Sequence, residues 1–369
     1  MVCLIARILE SFGHQVFYVA FENLDPKETF DRLEYFPDVD PFFPGNSRFL
    51  IDIIRKNDIS LVINQIPLNQ AFSLLLYTIR EETSIKIVSV IHNASLNIYS
   101  NYVFRKEYQW KHAGLGVLFW LMNNKLIKKI IESIYICKHR RHYQTMERCN
   151  EAIVAVSDSN RDDIWKLIGF NSSKVLSIPN CIVIPEINPS EKEKTVVWCG
   201  HVETWRKRVD LMLDIWSLVC DTHPDWTLYV MGTGLITEMS EYAHKIGAKN
   251  VIFTGTVNAN DYYRRAAIIC HTSVSESFGL VLAEGMSYGA VPIAFDCYPA
   301  CKDLIPNNCG FRIPNVSRKD YVDKLVYLMD NPSVRQQYSD NAQSYVLKFN
   351  IDNIRTDWAR LIEQVSNKS

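Results

Sequence analysis

Two glutamates, Glu276 and Glu284, stand with seven residues between them in the stretch SVSESFGLVLAEGMSYGAVP, residues 273–292. After the β-rich run AIICHTS, this stretch reads as a loop and then a helix, LVLAEGMSY, closed by Gly289. Gly279 falls at the helix start, where unpaired backbone N–H groups and the positive end of the dipole attract phosphate. A residue without a Cβ allows that phosphate to come close. Glu276 lies in the loop just before this anion site, and Glu284 one to two turns into the helix. Carboxylates cannot themselves bind phosphate, so their natural partners are hydroxyls, to which they offer strong acceptors. A phosphate with hydroxyl-bearing sugars on either side is a nucleotide sugar. The residues alone leave a second reading open: Ser273-x-x-Glu276 also fits a capping box, and Glu284 an ordinary solvent-facing helix position.

Positive charge that could meet a phosphate follows the strand-like run TVVWCG, in Gly200-His201-Val202-Glu203-Thr204-Trp205-Arg206-Lys207-Arg208. Basic residues at a helix start are unfavourable on their own, which favours an anionic ligand over a merely solvated face. His92 ends another strand-like run, IKIVSVIHN, with Asn93 beside it. A histidine there serves equally as a structural hydrogen-bonding group. Cys297, Cys301 and Cys309 lack metal-ligand spacing and read as core or loop.

The elements that must position these residues alternate along the chain. In the first half HQVFYVAF, SLVINQI, IKIVSVIHN, EAIVAVSD and KVLSIPN are separated by segments of helical period. In the second half TVVWCG, WTLYVMG, NVIFTG, AIICHTS and VPIAF repeat the pattern. Near-continuous apolar strands between helices indicate parallel sheets buried on both faces. A length of 369 residues exceeds one ordinary core. The expected fold is therefore α/β, two Rossmann-like doubly wound domains with a cleft between them, where ligands of open sheets bind. The boundaries read as 1–181, a proline- and charge-rich linker over 182–195, a second domain over 196–347, and a helix in 348–369. That last helix has an apolar face, Ile351, Ile354, Trp358, Leu361, Ile362 and Val365, and is expected to pack back on the first domain.

A net charge of −1 gives no general reason to expect nucleic acid as a partner. Ten scattered cysteines without a C-x-x-C pair speak against zinc and a disulfide framework, and fit a reducing, cytoplasmic setting. The longest central apolar run, LGVLFWLM, is too short to span a bilayer. Residues 105–148, however, hold ten lysines and arginines against three glutamates, with apolar residues interleaved in LIKKIIESIYI. Such a segment is expected either to lie peripherally on an anionic membrane or to form a solvated helical face.

SESFGLVLAEGMSYGAVPIAFD resembles the signature of glycosyltransferase family 4, retaining enzymes of the two-domain GT-B fold. VSDSNRDDI, SIPNCIVI, VVWCGHVETWRKRVDLMLDIW, YVMGTG, VIFTGTV and the tail helix resemble the family's corresponding segments in order. The resemblance implies that Glu276 meets hydroxyls of the transferred sugar and Glu284 the nucleotide ribose. It implies that the amides around Phe278, Gly279 and Leu280 meet the diphosphate. It places Lys207 on the same phosphates, beside Gly200, if the loop carries one inserted residue. The family's arginine after the glycine is His201 here, and Arg206 or Arg208 is expected to supply the missing charge. His92 matches a position that often meets the donor sugar.

What the resemblance implies is a metal-independent transfer, with retention, from a nucleotide diphosphate sugar, most simply a UDP-sugar, to a carbohydrate or lipid-linked acceptor. Such a reaction belongs to surface polysaccharide or glycan synthesis. No cofactor is expected, and no Asp-x-Asp stands in a loop where a metal would offset the diphosphate. Lys207, Glu276 and His92 are the expected catalytic residues. Two alternatives remain: an epimerase-like enzyme on the same fold, and a binder of nucleotide sugars without catalysis. The second draws on the start of the chain, MVCLIARILESFGHQVFYVAFE, which resembles the family's first helix and second strand. The family's first strand and glycine-rich loop are thus expected upstream, and the chain as it stands is expected to bind donor weakly and transfer little.

Overall fold

The computed structural model describes residues 2–22, 31–93, 95–96, 114, 124–186 and 192–367. They form two compact units. One comprises Met1–His92, Ile136–Cys181 and Ile351–Ser369, the other Asn93–Tyr135 and Ile182–Asn350.

The first unit opens with α1 (Val2–Glu10), β1 (Tyr18–Ala20) and β2 (Leu33–Tyr35), followed by α2 (Pro44–Lys56), β3 (Leu61–Asn64), α3 (Gln70–Thr83) and β4 (Lys86–Ile91). The helix α4 (Lys125–Cys149), of which the part from Ile136 belongs to this unit, leads to β5 (Ala152–Ala155), α5 (Asp158–Ile168) and β6 (Val175–Ser177). Every pairing is parallel, but the strands fall into two sheets, β1-β2 and β3-β4-β5-β6. The single doubly wound sheet expected for this half is therefore divided. The physical tie between the two sheets is apolar: Val19 and Phe21, on and beside β1, pack in one cluster with Val62 of β3, Ile87 of β4 and Leu76 of α3.

In the second unit the order along the chain is β7 (Glu193–Cys199), α6 (Val209–Ser217), β8 (Thr227–Met231), α7 (Ile236–Lys245), β9 (Val251–Gly255), α8 (Ala259–Arg265) and β10 (Ala266–His271). Then come α9 (Leu280–Ser287), β11 (Val291–Phe295), α10 (Ala300–Leu304), β12 (Phe311–Ile313), α11 (Arg318–Asp330) and α12 (Pro332–Val346). The strand β7 thus begins within the stretch expected as linker. Six parallel strands run in the order β12-β11-β10-β7-β8-β9. The chain builds outward from β7, returns beside it as β10, and builds outward the other way. That reversal opens a crevice beyond the C-terminal ends of β7 and β10, the binding place of open α/β sheets. The strands read as unbroken apolar runs because helices cover both faces, and β10 and β11 are buried along their whole length.

The chain ends in α13 (Ile351–Ser366). Its Ile354, Trp358, Leu361, Ile362 and Val365 are buried in one cluster with Ile5 and Ile8 of α1, Val88 of β4 and Val154 of β5. Lys86 Nζ closes its C-terminus by donating to the carbonyls of Val365 (2.9 Å) and Ser366 (3.0 Å). The basic stretch 105–148 lies partly outside the described residues. Its described part is the body of α4, on which Leu126, Ile130 and Ile134 form an exposed row at four-residue spacing. No described helix is long and apolar enough to cross a membrane.

Candidate active site

Two loops meet beyond the switch point, one after β7 and one after β10. They are fastened by polar groups that neither loop could satisfy alone. The buried Trp198 indole, on β7, donates to Thr272 Oγ1 at 2.9 Å, and that hydroxyl faces the carbonyls of Lys207 (3.0 Å) and Arg208 (2.9 Å). Val274 N and Ser273 Oγ both donate to Arg206 O, at 2.9 and 3.3 Å. Ser273 therefore serves the loop junction and not a capping box. The adjoining turn after β8 comes in close as well. A Cβ on Gly232 would lie 1.9 Å from the Gly200 carbonyl, with φ at 133°, so only glycine fits there.

The helix α9 starts at Gly279, whose φ of 98° is the left-handed conformation that glycine adopts without strain. No side chain caps this N-terminus, so its first N–H groups remain open to a ligand. Gly285 lets the helix sit down on β10, since a Cβ there would come within 2.6 Å of Ile269 Cδ1. Glu284 thereby comes to a half-buried place beside the Tyr263 hydroxyl and the Cys199 thiol. Burial raises its pKa, and Tyr263 works against that rise.

Glu276 is the most strongly determined charge of the site. Lys207 forms an ion pair with its Oε1, and both side chains are only about one-sixth exposed, 16% and 15%. His271 Nε2 lies 3.4 Å from the same oxygen. Burial alone would raise the carboxyl's pKa, but the His271 ring and the Lys207 ammonium together hold it well below the usual range. The carboxylate is thus kept ionised and acceptor-only. The stem of Lys207 passes over Gly200, within 3.6 Å of where a Cβ would stand.

The structure brings Gly200, Lys207, Glu276, Gly279 and Leu280 to one end of the second sheet. Their neighbours are disposed as follows. Phe278 turns inward, 2% exposed, with its ring edge-on to Phe349 at 5.2 Å, so only its backbone is left for a ligand. Arg206 and Arg208 do not replace the missing arginine as free charges. Arg206 Nε is tied to Glu203 (3.1 Å), and Arg208 is tied to Asp210 (3.1–3.3 Å). His201 is exposed, with its Cε1 3.1 Å from the Cβ position of Gly234.

His92 belongs to the first unit, immediately after β4. Its Nε2 pairs with Gln65 Oε1 at 2.6 Å, and burial depresses its pKa to about 4. Near neutral pH the ring is therefore an uncharged hydrogen-bonding group and offers no fixed cation. An Asp38-Val39-Asp40 triplet also lies in this unit, yet both carboxylates close local turns. Asp38 Oδ1 accepts from Asp40 N (2.8 Å) and Asp40 Oδ1 from Phe42 N (3.0 Å). Among the described residues no cluster of three His, Cys, Asp or Glu side chains is arranged to hold a metal ion.

Residues 183–345 match the family model of the glycosyl transferases group 1. Over 338 residues the chain is 24% identical to an uncharacterized glycosyltransferase of Haemophilus influenzae, covering 87% of this chain and 88% of that one. It is 26% identical over 179 residues to a Campylobacter jejuni N-acetylgalactosaminyltransferase whose name specifies a PP-undecaprenol-linked acceptor, covering 48% of this chain and half of that protein. Among solved structures, the galactosyltransferase WaaB of the lipopolysaccharide outer core matches with a TM-score of 0.69, 16% identity, and coverage of 98% of this chain and 94% of that one. A structure of Anabaena HepE with UDP-glucose matches at 0.67 and 14%, covering 90% and 86%. The chain spans about three fifths of Staphylococcus aureus TarM, 58% of it, at a TM-score of 0.63 and 18% identity. The doubly wound sheet of the second unit and the Lys207–Glu276–Gly279 constellation lie inside the segment that matches the glycosyl transferases group 1, and the α/β fold is that of the GT-B glycosyltransferases among the solved structures.

Proposed function

We propose that this glycosyltransferase moves a sugar from a UDP-sugar to a carbohydrate or lipid-linked acceptor, with retention at the anomeric carbon and without a metal ion, in polysaccharide or glycan synthesis. The observation that carries this reading is the buried Lys207–Glu276 ion pair beside the uncapped start of α9. A cation, an uncapped helix start and a carboxylate acceptor at one end of the sheet fit a diphosphate flanked by hydroxyls. In the reaction the bond from the anomeric carbon to the β-phosphate oxygen breaks, a bond to the acceptor oxygen forms on the same face of the sugar, and the acceptor hydroxyl's proton passes to the leaving phosphate oxygen. Charge gathers on the leaving nucleoside diphosphate. Lys207 and the α9 amides meet that charge more strongly in the transition state than in the ground state, which is what lowers the barrier. Glu276 holds hydroxyls of the transferred sugar, and Glu284, deeper along α9, those of the ribose. The ion-paired Glu276 is assigned no covalent bond to the sugar.

UDP as the nucleotide draws support from the UDP-glucose complex of the Anabaena protein, and a lipid-linked acceptor from the name of the Campylobacter relative. The test is a thermal-shift panel of UDP-, GDP-, dTDP- and ADP-sugars in EDTA. A UDP-sugar present at about 100 times its Kd should raise the midpoint by a few degrees, as mass action requires for a ligand of the native state alone. A shift seen only after manganese is added would overturn the metal-independent reading.

A further inference from the structure

His271 closes β10, directly beneath the loop that carries Glu276. Its side chain is 3% exposed. The ring is held from behind: Tyr298 Oη lies 3.4 Å from Nδ1, and the two rings meet edge to face at 5.8 Å and 73°. Its backbone N–H donates to the buried Tyr321 hydroxyl at 3.1 Å, which fixes the end of the strand. On the front, Nε2 is a polar neighbour of Glu276 Oε1 at 3.4 Å, too poorly aligned for a full hydrogen bond while Lys207 occupies that oxygen. A buried ring nitrogen left without a hydrogen bond is costly, and a position that keeps one calls for a state in which it is used.

Lys207 cannot stay bound to Glu276 alone if it also serves the diphosphate. When its ammonium turns to the phosphates, the buried carboxylate weakens or loses its ion pair, and the nearest polar group is the unused imidazole nitrogen. We propose that His271 is a positioning residue: in the donor-bound enzyme its Nε2–H closes on Glu276 and holds the carboxylate against the sugar as Lys207 moves to the leaving diphosphate. Tyr298 Oη, 3.4 Å from Nδ1, is placed to serve the tautomer this needs: with its O–H turned to Nδ1, the ring proton stays on Nε2. Burial works in the same direction by keeping the ring uncharged, so Glu276 gains a donor without a second cation competing for the phosphates. The inference rests on the donor reading given above.

The experiment compares His271→Leu and His271→Gln in the full chain, measuring UDP release from a UDP-sugar, and follows His271 ring nitrogens by NMR as UDP is added. His271→Leu should lower kcat about tenfold or more, the size expected of one hydrogen bond to a charged group, with a smaller change in donor KM. Its melting temperature should stay level or rise, because an apolar group replaces an unpaired polar one. His271→Gln, which keeps an N–H of similar reach, should recover most of kcat. In the wild type, UDP should shift the Nε2 resonance. An unchanged kcat in His271→Leu, a loss of kcat that follows a loss of melting temperature without recovery by Gln, or UDP binding with the ring resonances unmoved would each overturn the proposal. Wild-type protein that binds no UDP would overturn the donor reading as well.

Discussion

Lys207→Ala is expected to lower turnover by roughly 10²-fold or more, as removal of one preorganised charge-stabilising donor does in other active sites. Of the three neighbouring cations it is the one whose partner, Glu276, belongs to the site itself, because Arg206 and Arg208 are already balanced by Glu203 and Asp210. No other described side chain of that loop takes over its place. The substitution also leaves a pH signature. Glu276 has a folded pKa below its unfolded value, so the pair's stabilisation is present above the ordinary glutamate pKa of about 4.3 and is lost as pH falls below it. Without Lys207 the carboxyl's pKa moves up, and the melting temperature should fall less steeply with acid than in the wild type. Steady-state kinetics in EDTA and melts from pH 7 down to pH 3 measure both effects. Undiminished turnover in Lys207→Ala would remove the basis for a metal-independent mechanism.

The two glutamates should separate cleanly. Glu284→Ala is expected to weaken donor binding by about 1.5 to 3 kcal/mol, the cost of losing a hydrogen bond to a charged group, with kcat much less affected. Glu276→Ala should show the opposite division, a fall in kcat with a smaller change in donor affinity. The reason is position. Glu284 sits within α9 beside Tyr263 and Cys199, where a ribose is the proposed partner, while Glu276, with Oε1 paired to Lys207 and 3.4 Å from His271 Nε2, has the transferred sugar as its proposed partner. An interaction equal in ground and transition states changes affinity, whereas one made stronger in the transition state changes kcat. Calorimetric titration with UDP-sugar beside initial-rate kinetics reads the two quantities separately. Equal losses of affinity in both variants, or none in either, would reverse the assignment of roles.

The second unit is legible in the sequence because its signals are local. Apolar runs such as AIICHTS and VPIAF are long enough to be buried strands, and the helix start at Gly279 is marked by a glycine whose φ of 98° a side chain would resist. The buried face of the last helix is equally plain, since Ile354, Trp358, Leu361, Ile362 and Val365 recur at helical spacing. Partners brought from far along the chain are not legible. His271 and Tyr298 meet only because β10 and β11 are neighbours in the sheet, and the tie from Trp198 to Thr272 needs β7 beside β10. Charge partners mislead in a different way. Arg206-Lys207-Arg208 reads as one basic cluster, yet two of its members are neutralised by the nearby carboxylates Glu203 and Asp210, whose pairing depends on how the loop folds. Phe278 reads as part of the ligand turn but serves the core against Phe349, a contact from far along the chain that no local pattern announces. The division of the first unit into two sheets likewise depends on pairing, which strand-like runs alone do not specify.

The most direct test of a retaining, metal-independent transfer is the anomeric configuration of the first-formed product. The wild-type chain would be incubated in EDTA with an α-linked UDP-sugar and water or a glycan acceptor, and the new anomeric proton followed by NMR before mutarotation. An α product that forms without metal and is lost in Lys207→Ala is the expected result. A β product, or α product formed at the same rate by Lys207→Ala, would contradict it.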